Sequence, residues 1–253
     1  MNRYLTLTAL ALGLTASPAL ADDEADWTGF YAGVHGGFNQ TRSATDVTLG
    51  GAWSTEAASL RGFVANNMAE RQRDDGYNLG AQIGYNYQTG SLVLGVEADT
   101  SFLPGSETVS SGALRVPRTP TLSYTFTNSI NAKRMSSIKA KAGVAFGNTL
   151  IYGEGGWAWT KARFGATVTS SGNYLKSGEL EKTMDGFVVG GGLEQRLGDN
   201  LSVRLSYNYA DQGTATYATA YRPGSAFTSP AYSETVRQDL RLHLVRAGVN
   251  YRF

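Results

Sequence analysis

The stretch Leu244-Val-Arg-Ala-Gly-Val-Asn-Tyr-Arg-Phe253 decides the fold of this chain. From Val245 onward, apolar residues largely alternate with polar or small ones. Such alternation is typical of a β-strand with one apolar and one polar face. Because the chain stops on an aromatic residue inside this strand, we expect a closed sheet in which the last strand pairs with the first.

The N-terminus has the organisation of a secretory signal peptide. A single cation, Arg3, precedes a mostly apolar run from Leu5 to Leu14, and Ala19 and Ala21 form an A-x-A cleavage site. The apolar run is too short to span a membrane as a helix. We therefore expect residues 1–21 to be a signal peptide, 22–26 a short periplasmic tail and 27–253 one domain.

Composition narrows the class of that domain. The 253 residues include 31 glycines and 14 tyrosines but no cysteine, and only 17% are charged. Many glycines and aromatics with little charge favour short turns and interfacial aromatic side chains. The lack of cysteine excludes a disulfide scaffold and thiol chemistry. The formal charge of only +1 gives no indication of a basic surface that would bind nucleic acid.

Eight segments have strand-like patterns: 27–38, 77–88, 91–102, 138–146, 149–159, 186–197, 201–210 and 240–253. Tight turns at Thr89-Gly90, Gly147-Asn148 and Gly198-Asp199-Asn200 alternate with long polar excursions over 41–76, 104–132, 163–183 and 211–238. Short turns on one side and long loops on the other predict an all-β, eight-stranded antiparallel up-and-down transmembrane β-barrel with four long extracellular loops. An even strand number places both termini on the periplasmic side of an outer membrane.

The turns also fix which residues should face one another. We expect apolar side chains to meet on one face of each hairpin and polar side chains on the other. The predicted opposed pairs are Tyr87–Leu92, Gln82–Glu97, Val144–Ile151, Lys141–Glu154, Leu193–Leu205 and Glu194–Arg204.

Both ends of the predicted domain resemble a known family. Trp27-Thr-Gly-Phe-Tyr-Ala-Gly-Val-His-Gly-Gly-Phe38 and Val245-Arg-Ala-Gly-Val-Asn-Tyr-Arg-Phe253 are similar to the first and last strands of alphaproteobacterial outer-membrane β-barrel proteins, the opacity-type, OmpA-membrane-domain-like porin family. The resemblance implies a surface component that stabilises the envelope and contacts host or environment. It also implies that Tyr251 and Phe253 form the C-terminal signal read by the barrel-assembly machinery.

Strand parity sends a set of charged residues into the lumen. An eight-stranded barrel leaves room inside only for side chains, and buried charges without partners are costly. We therefore expect a plugged interior with interleaved ion pairs, notably Glu194–Arg204 and Lys141–Glu154. The predicted lumen ion-pair network contains Glu97, Asp99, Lys139, Lys141, Glu154, Glu194, Arg204 and Arg246.

The remaining surfaces predict the partners. Aromatic and aliphatic side chains on the outward strand faces favour outer-membrane lipid, and arginines can bind the phosphates of lipopolysaccharide. The long excursions predict contacts with host or environmental ligands. Alternating stretches such as Leu122-Ser-Tyr-Thr-Phe126 leave open the alternative that the strands simply continue above the bilayer.

The two histidines argue against a metal centre or a catalytic triad. Parity sends His35 inward and His243 outward, so they do not converge on one metal or one nucleophile. We expect no cofactor, no metal and no enzyme activity, and a role in structure and surface interaction. The alternatives are a narrow porin for ions or small solutes and, least favoured, a lipid-modifying barrel enzyme.

One inconsistency remains in the last strand. If Val245 and Phe253 face lipid, then Leu240, Leu242 and Leu244 point inward. Either this upper section stands above the hydrocarbon, or a bulge resets the alternation.

Overall fold

The computed structural model describes residues 26–117 and 119–253. The predicted signal peptide 1–21 with its cleavage residues Ala19 and Ala21, residues 22–25 of the predicted tail, and Arg118 lie outside the described residues. Eight long strands make up most of the rest: β1 (Gly29–Gly51), β2 (Glu70–Thr89), β3 (Leu92–Phe102), β4 (Thr119–Phe146), β5 (Thr149–Ser170), β6 (Leu175–Arg196), β7 (Leu201–Ala218) and β8 (Tyr232–Arg252).

The eight strands form a closed antiparallel ring. Each strand pairs with the next along the chain, and β8 pairs with β1 through a continuous register from Tyr31↔Arg252 to Gly51↔Tyr232. The fold class expected from the sequence is confirmed. Within the described residues, no helix is long and apolar enough to cross a membrane.

The long excursions are built mostly as extensions of the strands. The turn between β5 and β6 is only Ser171–Tyr174, and β4 already begins at Thr119. The connection from β1 to β2 carries a 3-10 turn, Ala52–Thr55, and one helix, α1 (Ala58–Met68). Short strands at Glu107–Ser110, Leu114–Val116 and Ala220–Tyr221 complete this end. The alternative that the strands continue beyond the bilayer therefore describes most of these segments.

Two of the three predicted hairpin registers are confirmed. Val144 lies opposite Ile151 and Lys141 opposite Glu154 in the β4–β5 hairpin. Leu193 lies opposite Leu205, and Glu194 opposite Arg204, in the β6–β7 hairpin.

The register predicted for the β2–β3 hairpin was wrong by two residues. Tyr87 pairs with Leu94 rather than Leu92, and Gln82 pairs with Asp99 rather than Glu97. The turn is Gly90-Ser91, so glycine takes its first central position with a φ of 56°, as Gly147 does with 55° in the next tight turn. A glycine at this position suits a hairpin turn, whereas the predicted Thr89-Gly90 placed it second. A shift of two residues leaves every side chain on its predicted face.

The wall of the barrel is interrupted between β6 and β7. Their ladder ends at Phe187↔Asp211, and farther along, this edge of β6 pairs instead with the short strand Ala220–Tyr221, from Ser177↔Ala220. Gly213 on β7 has a φ of 72°, and the pairing of β7 with β8 shifts register beside it. A bulge of this kind bends its strand and leaves backbone groups unpaired. We call the two edges that face each other without a ladder, residues 178–186 of β6 and 212–218 of β7, the seam.

Side chains fill the lumen in layers. Trp27 is fully buried at the short-turn end, where it packs with Val93, Ala145, Leu150 and Tyr152. A layer of charged and amide side chains follows. Above it lies an apolar layer that includes Ile130, Met135, Phe164, Met184, Leu240, Leu242 and Leu244. The uppermost layer, which includes Trp53, Tyr124, Phe126 and Tyr174, packs against α1.

Candidate functional site

The predicted lumen residues all occupy the charged layer. Their exposed fractions lie between 1% for Lys139 and 6% for Asp99, Glu154 and Arg204. They come from β3 (Glu97, Asp99), β4 (Lys139, Lys141), β5 (Glu154), β6 (Glu194), β7 (Arg204) and β8 (Arg246). The period-2 alternation of these strands turns all of them toward the lumen.

Lys139 is the hub of this layer. Its Nζ lies 3.1 Å from Glu97 Oε1, 3.2 Å from Asp99 Oδ2 and 3.0 Å from Glu154 Oε1. The Lys139 side chain has no exposed surface, so water does not screen these contacts. One cation therefore holds carboxylates from the two strands that flank its own.

Glu97 extends the network across the lumen. Its Oε2 accepts Arg204 Nη1 at 2.5 Å, the Tyr31 hydroxyl at 2.7 Å and Lys141 Nζ at 3.3 Å. β3 and β7, which carry Glu97 and Arg204, lie half-way round the ring from each other. Arg246 adds a contact from β8 to Asp99 at 3.1 Å. The ion pairs therefore brace opposite walls of the barrel.

Both predicted ion pairs between register neighbours were wrong. Lys141 pairs with Glu97, and Glu154 with Lys139. Glu194 accepts hydrogen bonds from Ser202 at 2.5 Å and Asn250 at 2.8 Å, while Arg204 reaches Glu97 instead. The pairs Lys141–Glu97 and Lys139–Glu154 instead run diagonally between adjacent strands, and among the described ion pairs of this layer only Glu97–Lys139 joins direct register neighbours. Glu194 is thus held by neutral donors.

Sequence reasoning missed several polar partners in the same layer. Tyr31 bonds Glu97, and Asn208 donates to Glu154 at 2.7 Å. His35, which parity placed inward, is buried, with Nδ1 2.5 Å from Gln82 and Nε2 2.8 Å from Ser101. Inward parity was the signal that could have identified Tyr31 and Asn208 as well.

The second histidine lies on the outer wall. His243 Nδ1 lies 2.8 Å from the Tyr207 hydroxyl, and its ring packs 5.1 Å from that of Tyr209. His35 and His243 therefore lie on opposite faces of the sheet, as parity predicted. Among the described residues, no three His, Asp or Glu side chains form a metal-binding group.

A second buried ion pair, also missed, lies near the extracellular end. Glu234 Oε2 contacts Lys176 Nζ at 2.7 Å, and Glu234 Oε1 accepts the Trp53 indole N–H at 2.7 Å. Burial raises the pKa of Glu234, but hydrogen bonds from Lys176, Thr219, Tyr174 and Trp53 outweigh it and hold that pKa below its ordinary value. The extended parts of β6 and β8 supply this pair, and the sequence had placed them in loops.

The outward face changes character along the barrel. Near the short turns the outward positions of the described strands carry uncharged side chains, and the exposed ones include Phe30, Val34, Ile83, Val96, Ile138, Trp157, Val189, Leu205 and Val249. Aromatic residues end this apolar band, where Phe38 and Tyr77 pack 5.2 Å apart. Tyr251 and Phe253 lie at its other edge, 51% and 77% exposed. This is the surface that a hydrocarbon layer with two interfaces requires.

Directly beyond the aromatics the same faces become charged. We call the cations there the collar: Arg42, Arg71, Arg73, Lys133, Arg134, Lys161, Arg163, Arg237 and Arg241. Some of them are paired, as Arg73 is with Asp75 at 3.2 Å and Arg241 with Asp239 at 3.1 Å. Lys161, Lys133 and Arg163 surround Glu181 and lower the pKa of its carboxyl to about 2.

Comparison with known proteins agrees with this geometry. Residues 7–253 match the family described as outer membrane protein beta-barrel domain. The 31 kDa outer-membrane immunogenic protein of Brucella melitensis is 24% identical, over 94% of this chain and 88% of the relative. The 22 kDa outer membrane protein of Rhizobium leguminosarum bv. viciae is 29% identical, over 68% of this chain and 70% of the relative. Among solved structures, the outer membrane protease OmpT from Escherichia coli superposes with a TM-score of 0.48 at 8% identity, over 94% of this chain and all of that one.

Proposed function

We propose that this chain, which belongs to the outer membrane protein β-barrel family and lies in the outer membrane, is a structural and surface-interaction protein without enzyme activity. It stabilises the envelope and presents its extracellular end to the environment or a host. The observation that carries this proposal is the interior, which is cross-braced by ion pairs and closed by apolar layers on both sides of them.

The packed interior favours this role over that of a narrow porin. A path for ions would have to pass Leu240, Leu242 and Leu244, whose side chains are fully buried in the apolar layer. At the short-turn end it would have to displace Trp27, which donates its indole N–H to Gly147 O at 3.4 Å and packs beneath the Arg252 guanidinium. Such an interior resists deformation, as a scaffold in a lipid layer must.

The ends of the chain support an orientation with both termini in the periplasm. Phe253 N donates to Phe30 O at 3.0 Å, so the C-terminus closes the ring beside the tight turns. Tight turns face the periplasm in outer-membrane barrels. We propose that the exposed rings of Tyr251 and Phe253 serve as the signal for the barrel-assembly machinery before they rest in lipid.

We propose two classes of partner for the extracellular half. The collar meets the lipopolysaccharide headgroups, because arginine and lysine pair with phosphate groups. The end formed by α1 and the short strands meets host or environmental ligands. The matched Brucella relative is named an outer-membrane immunogenic protein, which supports surface exposure.

Planar-bilayer recording tests the scaffold against the porin. We expect purified, refolded protein to give no discrete channels at any applied voltage that the bilayer tolerates. Reproducible channels with one unit conductance would instead support the porin. Gels run with and without boiling show that the sample is folded.

Surface labelling tests the orientation. Because the chain has no cysteine, N66C in α1 and G172C in the β5–β6 turn provide single labelling sites, and N148C provides the control in a tight turn. We expect an impermeant maleimide to label the first two on intact cells and N148C only after lysis. Labelling of N148C on intact cells would reverse the assignment.

A further inference from the structure

One part of the collar concentrates positive charge around a single acid. On the outer wall Glu181 accepts Lys133 Nζ at 2.9 Å, Lys161 Nζ at 2.9 Å and Arg163 Nη2 at 3.0 Å. The three cationic side chains remain 39%, 50% and 56% exposed. The acid therefore gathers them at one point without covering them.

A fourth cation makes this site costly to the fold. Arg134 lies directly opposite Lys161 in the β4–β5 ladder. Like charges in directly opposed positions destabilise a sheet, so packing gives no reason for this pair. Of these four cations, Lys133, Lys161 and Arg163 all take Glu181 as their ion-pair partner.

The other sector of the collar also contains opposed cations, since Arg42 lies directly opposite both Arg73 and Arg241. Acids accompany that row: Arg73 pairs with Asp75 at 3.2 Å, and Arg241 pairs with both Asp211 at 3.3 Å and Asp239 at 3.1 Å. The cluster on β4 and β5 differs because its three ion pairs all go to one carboxylate, that of Glu181.

The site also lies at the height of lipid headgroups. Lys161 follows Trp159 by two residues on the same strand face, which places it roughly 7 Å farther along the strand. Tryptophan is enriched at membrane–water interfaces. A group just above Trp159 on the extracellular side therefore meets the phosphates of the outer leaflet.

We propose that Lys133, Arg134, Lys161 and Arg163 form a binding site for the phosphate of an outer-leaflet lipopolysaccharide headgroup, a proposal that rests on the function proposed above. Arg163 uses Nε and Nη2 toward Glu181 and retains its other N–H donors for a second anion. Each lysine ammonium likewise has donors beyond its contact with Glu181. Glu181 is the positioning residue, and the phosphate takes the donors that it leaves free.

Binding of the full-length, folded chain to vesicles tests this site. The probes are neutral phospholipid vesicles that contain either phosphorylated or dephosphorylated lipid A. We expect K161Q/R163Q to lose the preference for phosphorylated lipid A by about tenfold, or about 1.4 kcal/mol of binding free energy in total, since it removes two exposed charge-assisted contacts. The matched control R71Q/R237Q removes two exposed cations that do not face another cation, since Arg71 lies opposite Ala44 and Arg237 opposite Asp46, and we expect less than about a threefold change.

Each outcome of the vesicle experiment supports or excludes the proposed phosphate site. If the wild type prefers phosphorylated lipid A, but both double variants lose that preference equally or neither loses it, the proposed site is wrong. If the wild type shows no such preference, the proposed lipopolysaccharide partner itself fails. Displacement of vesicles by low concentrations of inorganic phosphate would reassign the site to the free anion. Should K161Q/R163Q not fold, K133Q provides the same comparison with a smaller expected loss.

Discussion

Replacement of the hub cation tests how the lumen is held together. In K139M, a side chain of similar length and no charge replaces the ammonium that three carboxylates share at 3.0–3.2 Å. Glu97 and Asp99 keep contacts with Arg204 and Arg246. The carboxylate most affected is Glu154, whose other cation lies 3.9 Å away.

The expected cost follows from this geometry. Removing one partner of a fully buried ion pair leaves an uncompensated charge and costs about 3–5 kcal/mol. We expect K139M to lower the free energy of unfolding by that amount. Adding E154Q to K139M should recover part of the loss, because E154Q neutralises the acid that K139M leaves without its nearest cation. A double-mutant cycle over K139M and E154Q measures their coupling.

The matched control is E194Q. Glu194 is also buried, but Ser202 and Asn250 hold it without a close cation. We therefore expect E194Q to cost about 1 kcal/mol, the value of a hydrogen bond. Urea titration in phospholipid vesicles, followed by tryptophan fluorescence and by gel mobility without boiling, measures all four variants. A cost of E194Q equal to that of K139M would refute the assignment of the hub.

Three other predictions concern the wall. A Cβ atom added to Gly156 would lie 1.9 Å from a backbone oxygen of β4, whereas a Cβ atom added to Gly155 would lie 3.7 Å from its nearest neighbour. We therefore expect the G156A variant not to refold and the G155A variant to refold, as judged by gel mobility. F253D should lower the assembled, heat-modifiable form in cells, and an unchanged level would remove Phe253 from the assembly signal. Hydrogen exchange should be faster at those alternate amides of residues 179–185 and 214–217 that point into the seam than at the amides between them, which bond to β5 or β8; uniform protection would contradict the seam.

Much of the ring was predictable because strand parity is a local property. A period of two residues places Lys139 and Glu154 inward whatever the register, and it survived the two-residue error in the β2–β3 hairpin. The closing pair of β1 and β8 was readable for the same reason. Turn chemistry was less certain, since Thr89-Gly90 and Gly90-Ser91 both contain the glycine.

The ion-pair partners could not be read from the sequence. Which acid meets Arg204 depends on the diameter of the closed ring and on the stagger of strands half-way round it. Bulges add a second obstacle: the register shift between Ala132 and Arg134 on β4, and that at Gly213 on β7, each move the inward positions by one residue. Parity carried outward from the turns therefore fails in the extracellular parts of β4 and β7.

The inconsistency in the last strand has a physical meaning. Inward parity on β8 is unbroken from Arg252 up to Leu240, so no bulge on this strand explains the change from inward Arg246 to inward Leu244. The outward neighbours change in the opposite sense, from Val245 below to Arg241 above.

The solvent outside the wall accounts for this exchange. Where lipid surrounds the barrel, the apolar side chains face outward and the charged side chains pair inside it. Where water and headgroups surround the barrel, the same strands bury leucine and expose arginine, as a water-soluble barrel does. The seam and the collar both lie on the watery side of this boundary. When the apolar side chains of a strand change from the outward to the inward face without a bulge, the strand leaves the hydrocarbon at that point. On β8 this boundary lies between Val245 and Arg241.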